Sequence, residues 1–289
     1  MNKKPFNSLN DYFVRYFFTD KGGEKVLLDF INAVMISANM KTFKSVEILN
    51  PFNLKKNYSD KETIVDVKCI TKNGTIVIIE VQLSGNSRFP ERILYYWSTN
   101  YSKLLKKGEG YEDLTPVISI NLLNFNLNKK DSNVHSCYMI YDTKNKRLLT
   151  DHLQIHIIEL KKFNFKNNNL SKDLNYWLGF FTTKDMEAYM SDIVKEKPIM
   201  EEAHKRYNNF IRSRLMMSEY EKKEIYQYDK QIMLKDERRE GIKEGIKRAK
   251  LEGIKERNYS IAKNLKKAGS DIEFISEITG LTIEEINKL

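Results

Sequence analysis

The segment TIVDVKCITKNGTIVIIEVQL, residues 63–83, decides the fold. Two runs rich in β-branched residues flank Asn73-Gly74, a dipeptide typical of β-hairpin turns. The segment therefore predicts two antiparallel strands, over 63–71 and 75–83. Both strands are largely apolar, yet each carries a carboxylate, Asp66 in the first and Glu80 in the second.

The length of the hairpin loop fixes which side chains share a face. A two-residue loop would pair Glu80 with Val67 and bury a charge among apolar side chains. A three-residue loop over 72–74, with Gly74 in the left-handed conformation, pairs Asp66 with Glu80 instead. We predict the second register because it leaves one face wholly apolar. The other face is mixed and carries Ile64, Asp66, Lys68, Ile70, Ile76, Ile78, Glu80 and Gln82.

Two opposed carboxylates repel each other, since directly paired Cβ atoms lie about 4.5–5.5 Å apart. Three arrangements offset that repulsion: one carboxyl is protonated, a cation such as Lys68 pairs with them, or a hard divalent cation sits between them. The residues alone leave all three open.

The rest of the chain up to residue 160 predicts an α/β or α+β core. Helical periodicity over 9–19 and 24–39 is broken at Gly22-Gly23, and Pro90 and Gly108 mark the first turn and the C-terminal cap of a further helix. The remaining strand-like runs are 45–49, 116–125, 134–143 and 153–160. The predicted order is therefore ααβββαβββ.

After residue 161 the strand signal disappears and Lys/Glu-rich helical sequence follows. We predict a first domain over 1–215, a charged helical linker over 216–257 and a helical hairpin over 258–289. In the linker, Gly241, Gly245, Ala249 and Gly253 recur at four-residue steps, which fits either a flexible linker or a self-associating helix.

The last segment carries strong helix boundaries. Ser270 with Glu273 and Thr282 with Glu285 match capping boxes, and Gly280 marks a helix end. Two short helices joined by a tight turn resemble a helix-turn-helix, a pattern that also fits a plain helical hairpin.

Charge and composition limit the partners and the compartment. Over 289 residues, 49 Lys and Arg face 39 Asp and Glu, for a net charge of +10, which predicts attraction to polyanions, nucleic acid first and an anionic membrane surface second. Cys69 and Cys137 lie in apolar runs, so we expect no disulfide framework and a reducing compartment. No apolar run of about 18 residues is present, and we expect a cytoplasmic, nucleoid-associated protein rather than a membrane protein.

Several quoted stretches together resemble a known family. The segments NDYFVRYFF, FINAV, IEVQ, FPERILYYW and GEGYEDLTPVISI, with Asp66 between the second and third, are similar to the PD-(D/E)XK nuclease family transposases, also called recombination-promoting nucleases. The resemblance implies an α/β fold of the restriction-endonuclease-like type: a mixed central sheet flanked by helices, with the motif acids on a hairpin and an α-helical C-terminal extension.

The resemblance also implies an activity, a metal and a site. Asp66 matches the motif aspartate, Glu80 matches the acid of the E-x-K triplet, and Gln82 stands where lysine is usual. The implied protein is a DNA endonuclease that uses Mg²⁺, with Mn²⁺ as a substitute, bound by Asp66, Glu80 and the Val81 carbonyl. Lys68, on the same face, is our candidate for the missing cation.

Further residues complete the expected site. Arg88 and Arg92 flank the start of a helix and are candidates for gripping DNA phosphates, although Arg92 also fits a salt bridge with Glu91. Asp11 and Glu62 are possible additional acids. Gln82 leaves open an alternative, a catalytically silent DNA-binding or regulatory protein, and the glycine-step tail predicts a homodimer. The four histidines lack partners at ligand spacing, so we expect them to be structural.

Overall fold

The computed structural model describes residues 6–50, 52, 66–85 and 88–289. The chain forms two compact units, Met1–Glu224 and Ile225–Leu289. The predicted three-part division, 1–215, 216–257 and 258–289, stays a prediction. Among the described helices, none is both long enough and apolar enough to cross a membrane.

The first unit is built on one mixed six-stranded sheet. The strands are β1 (Val46–Ile48), β2 (Val67–Thr71), β3 (Ile76–Gln82), β4 (Val117–Leu123), β5 (His135–Tyr141) and β6 (Leu148–Glu159). They lie in the order β1-β2-β3-β4-β6-β5. The β3–β4 and β4–β6 pairs are parallel and the remaining pairs are antiparallel. β6 begins five residues before its predicted start at 153.

Helices cover both faces of this sheet. They are α1 (Asp11–Thr19), α2 (Glu24–Ser37), α3 (Phe89–Ser102), α4 (Lys172–Thr182), α5 (Met186–Ile193), α6 (Ile199–Arg212) and α7 (Arg214–Lys267), whose first turns belong to this unit. Up to residue 160 the α-helices and strands follow one another as ααβββαβββ. The predicted order and the expected α/β class with a mixed central sheet are confirmed.

The hairpin adopts the predicted register. Val67 pairs with Ile79 across β2 and β3, and the loop over 72–74 is closed by Gly74 at a φ of +82°. This left-handed conformation favours glycine because a Cβ atom would crowd the backbone. Of the first predicted strand, residues 63–65 lie outside the described part of the chain.

The two faces of the hairpin are buried against different helices. The apolar face, which includes Cys69 and Val77, joins the main core shared with α1, α2, α4 and α6. The mixed face packs Ile76 and Ile78 against Trp97 and other side chains of α3 and the segment that follows it. Glu80 and Gln82 of this face lie at the end of β3, beyond the apolar contact.

The C-terminal end of α3 differs from the prediction. The helix begins with Pro90 in its first turn, as expected, but it ends at Ser102 and not at Gly108. The Lys103 and Leu104 N–H groups both donate to the Tyr101 carbonyl, and such tight final bonds close a helix. Gly108, at a φ of +95°, lies in a later turn.

The second unit is helical. The end of α7 is followed by α8 (Ile272–Thr279) and α9 (Ile283–Asn287). A small core contains the buried side chains of Ala262, Ile275, Leu281 and Ile286. Gly241, Gly245 and Gly253 lie within α7, and a Cβ atom added at any of them would meet nothing within 4 Å in the described chain. The predicted linker is therefore helical, while its self-association stays a prediction.

One of the two predicted capping boxes forms. Thr282 and Glu285 cap each other at the start of α9, and Gly280 ends α8 at a φ of +68°, both as expected. At the start of α8 the cap is Asp271 and not Ser270, because the Asp271 carboxylate accepts hydrogen bonds from the first backbone N–H groups.

A buried arginine fixes the end of α1. Arg206 of α6 is 4% exposed and donates to four backbone carbonyls at or just beyond that end. These carbonyls belong to Tyr16, Phe17, Asp20 and Lys21, at 2.7–3.2 Å. Helix C-termini leave carbonyls without intrahelical partners, and a cation there is favourable. Arg206 therefore sets the position of α1.

Arg206→Met should destabilise the first unit strongly. The substitution keeps the stem of the side chain but removes a donor from all four carbonyls. Those of Tyr16 and Asp20 keep a backbone N–H partner, whereas the buried Phe17 carbonyl loses its Arg206 donor, at a cost of about 1–3 kcal/mol. We expect urea unfolding to show a loss of about 3 kcal/mol, the scale of a broken buried hydrogen-bond network. Lys205→Met, one residue earlier and exposed, is the matched control and should change the unfolding free energy little. Equal stability of the two variants would contradict the role given to Arg206.

Two histidines form a buried pair between β5 and β6. His135 Nε2 lies 3.0 Å from His156 Nδ1, and His156 Nε2 lies 3.9 Å from Cys137 Sγ. Burial lowers the pKa of His135 to about 4. Burial, and after it the neighbouring His135, lowers the pKa of His156 to about 3. Both rings are therefore neutral in the folded protein at pH 7.

The histidine pair predicts acid sensitivity. The unfolded chain binds protons at these histidines below a pKa of about 6.5, whereas the folded chain does not until far lower pH. The pair should therefore lose about 2 kcal/mol of unfolding free energy per histidine between pH 7 and pH 5. Asp66 and Glu80 act in the opposite direction over this range, because burial raises their pKa values. Urea titrations at both pH values therefore compare the parent with His156→Gln, in which these acids are unchanged, and acidification should cost the parent about 2 kcal/mol more unfolding free energy than the variant. An equal pH dependence in the two proteins would contradict the assignment.

Candidate active site

The two predicted acids meet at the open end of the hairpin. Asp66 directly precedes β2, and Glu80 lies near the end of β3. The Val81 N–H donates to Asp66 Oδ2 at 2.8 Å, so the carboxylate takes a position that a strand partner would otherwise fill.

The backbone around Asp66 is held by an asparagine. Asn50, just after β1, donates from Nδ2 to the Asp66 carbonyl at 3.3 Å and accepts from the Lys68 N–H at 2.6 Å. These two bonds extend the sheet edge past the end of β1. The backbone that follows Asp66 is therefore held in place.

The Val81 carbonyl belongs to the same side of β3 as Asp66. The Thr71 N–H donates to the Thr75 carbonyl, and backbone groups alternate in direction along a strand. Residues 75, 77, 79 and 81 therefore direct their N–H and C=O groups toward β2. Gln82 directs its carbonyl the other way, where it accepts from the Asn124 N–H.

Glu80 is a buried carboxyl group with an unused oxygen. The residue is 7% exposed, and its Oε1 atom has no hydrogen-bond partner among the described residues. Burial, and after it the charge of Asp66, raises the pKa of Glu80 well above its usual range, while Arg92, Gln82 and Arg15 lower it. Burial and the charge of Asp66 therefore favour the protonated form of Glu80, and a bound cation would favour the ionised form.

Asp66 is perturbed in the same direction. Burial, and then the charge of Asp11, raises its pKa to about 7; the Val81 N–H, Arg15 and Lys223 act against this rise. A carboxyl with a pKa in this range is characteristic of a functional site.

Asp11 is a third acid, close to Asp66, and Asp11, Asp66 and Glu80 together form the acidic cluster. Asp11 also forms an ion pair with a lysine. Asp11, the first residue of α1, has its Oδ2 atom 3.7 Å from Lys223 Nζ of α7. Glu224, the next residue of α7, accepts from Nδ2 of Asn7 and of Asn10, the N-cap of α1. The first turns of α7 therefore hold the start of α1 beside the hairpin.

Arg15 supplies a second positive charge from α1. It lies one turn after Asp11, is 6% exposed, and lowers the pKa of both Asp66 and Glu80. A buried guanidinium beside two carboxyls reduces their mutual repulsion.

Gln82 connects Glu80 to α3. Its Nε2 atom donates to Glu80 Oε2 at 3.2 Å, and its Oε1 atom accepts from Arg92 Nη2. Arg92 therefore bonds Gln82, while the neighbouring Glu91 pairs with Arg88 at 3.3 Å.

The other predicted residues are placed differently. Lys68 is opposite Ile78 in the hairpin, and burial, followed by the charge of Lys103, lowers its pKa. The Arg88 side chain is 83% exposed. Glu62 lies outside the described residues.

The donor set suits a hard divalent cation. Among the described residues, no group of three His, Cys, Asp or Glu side chains is arranged to hold a metal by itself. Mg²⁺, however, is usually held by one or two carboxylates together with water and substrate phosphates. The unpartnered Glu80 Oε1, Asp66 and the Val81 carbonyl fit that description.

Sequence reasoning missed three residues of this cluster. Arg15 left one signal, a charge within the otherwise apolar run YFVRYFF. Asn50 and Lys223 left none, because each acts on a residue distant in sequence and resembles an ordinary loop or exposed helix residue.

Comparison with known proteins supports the same family. A family model described as PD-(D/E)XK nuclease family transposase matches residues 8–237. This match confirms the resemblance, and the mixed sheet with flanking helices is consistent with the restriction-endonuclease-like α/β fold it implies. Searches of curated proteins and of solved structures found no match.

A divalent cation should stabilise the protein through Asp66 and Glu80. Mg²⁺ at about 100 times its Kd would add about 2.7 kcal/mol, or about 5–10 °C in Tm for a chain of this size. We expect this increase in thermal melts of the parent protein and of Glu112→Gln, an exposed acid used as control. Asp66→Asn and Glu80→Gln should abolish it. An equal Tm increase in all four proteins would place the cation elsewhere.

Proposed function

Because the chain belongs to the PD-(D/E)XK nuclease family transposases, we propose that it is a divalent-metal-dependent DNA endonuclease that hydrolyses phosphodiester bonds in support of recombination or transposon-like mobility. The observation that carries this proposal is the buried Glu80 Oε1, which has no partner in the described chain and lies in the same cluster as Asp66.

The chemistry explains why such a costly cluster is useful. Phosphodiester hydrolysis builds negative charge on the phosphate, and a bound divalent cation supplies Lewis-acid polarisation and a nucleophile at neutral pH. Asp66, Glu80 and the Val81 carbonyl would hold that ion, with Mg²⁺ as the expected metal and Mn²⁺ as a substitute. Binding the ion would offset the burial that raises both carboxyl pKa values, and also the repulsion from Asp11 at Asp66 and from Asp66 at Glu80.

The roles of the polar neighbours follow from their chemistry. Gln82 fixes Glu80 by a hydrogen bond but contributes no charge. Positive charge near the acids comes from Arg15 and Lys223, which both lower the pKa of Asp66. Lys68 remains our proposal for a cation on the same strand face. Asp11 would support the site as an additional acid.

DNA is the proposed partner. The net charge of +10 favours a polyanion, and phosphate contacts make such binding steeply salt-dependent. The exposed Arg88 at the start of α3 is the better placed of the two arginines for gripping a phosphate, because Arg92 already bonds Gln82. A homodimer through the glycine-step segment of α7 is proposed on the pattern of the sequence.

A cleavage assay tests the function. Purified protein is incubated with plasmid DNA and Mg²⁺, with and without EDTA, beside Asp66→Asn, Glu80→Gln and Lys68→Ala. We expect EDTA to stop nicking. The two acid variants should lower the rate by at least about a hundredfold, the scale of losing one transition-state charge partner.

The controls separate the alternatives. Nicking that persists in EDTA or in both acid variants would point to a contaminant. Salt-sensitive DNA binding by the parent without any cleavage would favour a catalytically silent DNA-binding protein. A Lys68→Ala variant as fast as the parent would remove Lys68 from the site.

A further inference from the structure

A cation from another element of the fold is hydrogen-bonded to the E-x-Q triplet, residues 80–82. Arg92 of α3 donates to Gln82 Oε1, and Gln82 Nε2 donates to Glu80 Oε2. We propose that Arg92 is a positioning residue, which acts through Gln82 to fix the Glu80 carboxylate for metal binding. The proposal rests on the metal-dependent function given above.

The chain of hydrogen bonds from Arg92 through Gln82 to Glu80, here called the relay, has a direction that is set by the chemistry of the three groups. A guanidinium only donates hydrogen bonds, so the amide atom facing Arg92 must be the oxygen. The amide nitrogen then faces Glu80, whose ionised carboxylate only accepts. Gln82 can thus satisfy both neighbours in one orientation. Glu80 Oε2 is engaged, while Oε1 has no partner among the described residues.

Arg92 is held firmly enough to act in this way. Its guanidinium lies over the Phe89 ring, 5.3 Å from the centroid, and Phe89 is 1% exposed. Phe89 in turn packs edge-on against Phe125. The arginine therefore stands on a rigid helix start, unlike Arg88, whose side chain is 83% exposed.

The relay also accounts for the residue at position 82. A lysine there would bring an ammonium group against the Arg92 guanidinium, and like charges at close range repel. Glutamine is uncharged, so this repulsion is absent, and its Nε2 atom still donates a hydrogen bond to Glu80. In this arrangement a cation on the helix takes the place of one on the strand.

Metal binding without nucleic acid tests the relay. Mn²⁺ binding to the full chain is measured by calorimetry for the parent, Arg92→Met and Arg88→Met. Loss of a residue that orients a metal ligand typically weakens metal binding by about 10–100-fold, and we expect a loss in this range for Arg92→Met. Arg88→Met, the matched control on the same turn, should bind Mn²⁺ as the parent does.

A phosphate contact would give the opposite pattern. If Arg92 served only to grip DNA, Arg92→Met would leave Mn²⁺ affinity unchanged and reduce the salt slope of DNA binding by about 1. That result would overturn the proposal.

A charge exchange gives a second, independent test. Gln82→Lys should weaken Mn²⁺ binding, and Gln82→Lys with Arg92→Gln should restore it, because the exchange again leaves one cation and one amide. Circular dichroism spectra that match the parent's would show that the single variants do not fail through misfolding. A double variant that binds no better than either single variant would overturn the relay.

Failure of the relay and failure of the proposed function can be told apart. A parent protein that binds Mn²⁺ only as tightly as Asp66→Asn does would count against the metal site itself. A parent that binds Mn²⁺ through Asp66, with affinity unaffected by Arg92→Met, would remove only the relay.

Discussion

The register of the β2–β3 hairpin is the constraint on which the site depends. Side chains alternate along a strand, so a slip of one residue would turn Glu80 into the main core and separate it from Asp66. Gly74 prevents this slip. It adopts a positive φ, its carbonyl accepts from Thr115 Oγ1, and an added Cβ atom would lie 2.9 Å from Thr115 Cγ2. A small residue in a loop therefore determines the position of a carboxylate at the opposite end of the strand.

The cluster of Asp66 and Glu80 lowers the stability of the fold. A buried carboxyl oxygen without a partner costs free energy, and so does a second carboxyl beside it. The main core, Arg206 and the contacts at the start of α1 offset this cost. They hold α1 rigidly, so that Asp11 and Arg15 face the hairpin at fixed positions. Sites of this kind concentrate local destabilisation where the chemistry requires it.

Local patterns predicted the local features of the molecule. The hairpin, its loop, Pro90 and the Thr282 capping box all depend on neighbours within a few residues. Where such rules compete, prediction failed: Gly108 permits a helix end but does not impose one, and Asp271 caps α8 ahead of Ser270. The roles of Asn50 and Lys223 could not be predicted from the sequence for another reason. Their partners, Asp66 and Asp11, are remote in sequence, so their roles arise only from the tertiary fold.

The comparison of Lys68 with Arg92 as the cation of the site shows the same limit of prediction from sequence. Lys68 is the natural candidate when positions are counted along one strand, because it shares a face with Asp66. Across the sheet, however, Lys68 lies opposite Ile78, and burial, followed by the charge of Lys103, lowers its pKa. Arg92, in contrast, approaches from α3 and donates a hydrogen bond to Gln82, which stands where lysine is usual. When a motif lacks its usual charged residue, the replacement is therefore better sought among residues that contact that position in the fold than among residues close to it in sequence. In this protein that criterion selects Arg92, because its guanidinium donates a hydrogen bond to Gln82.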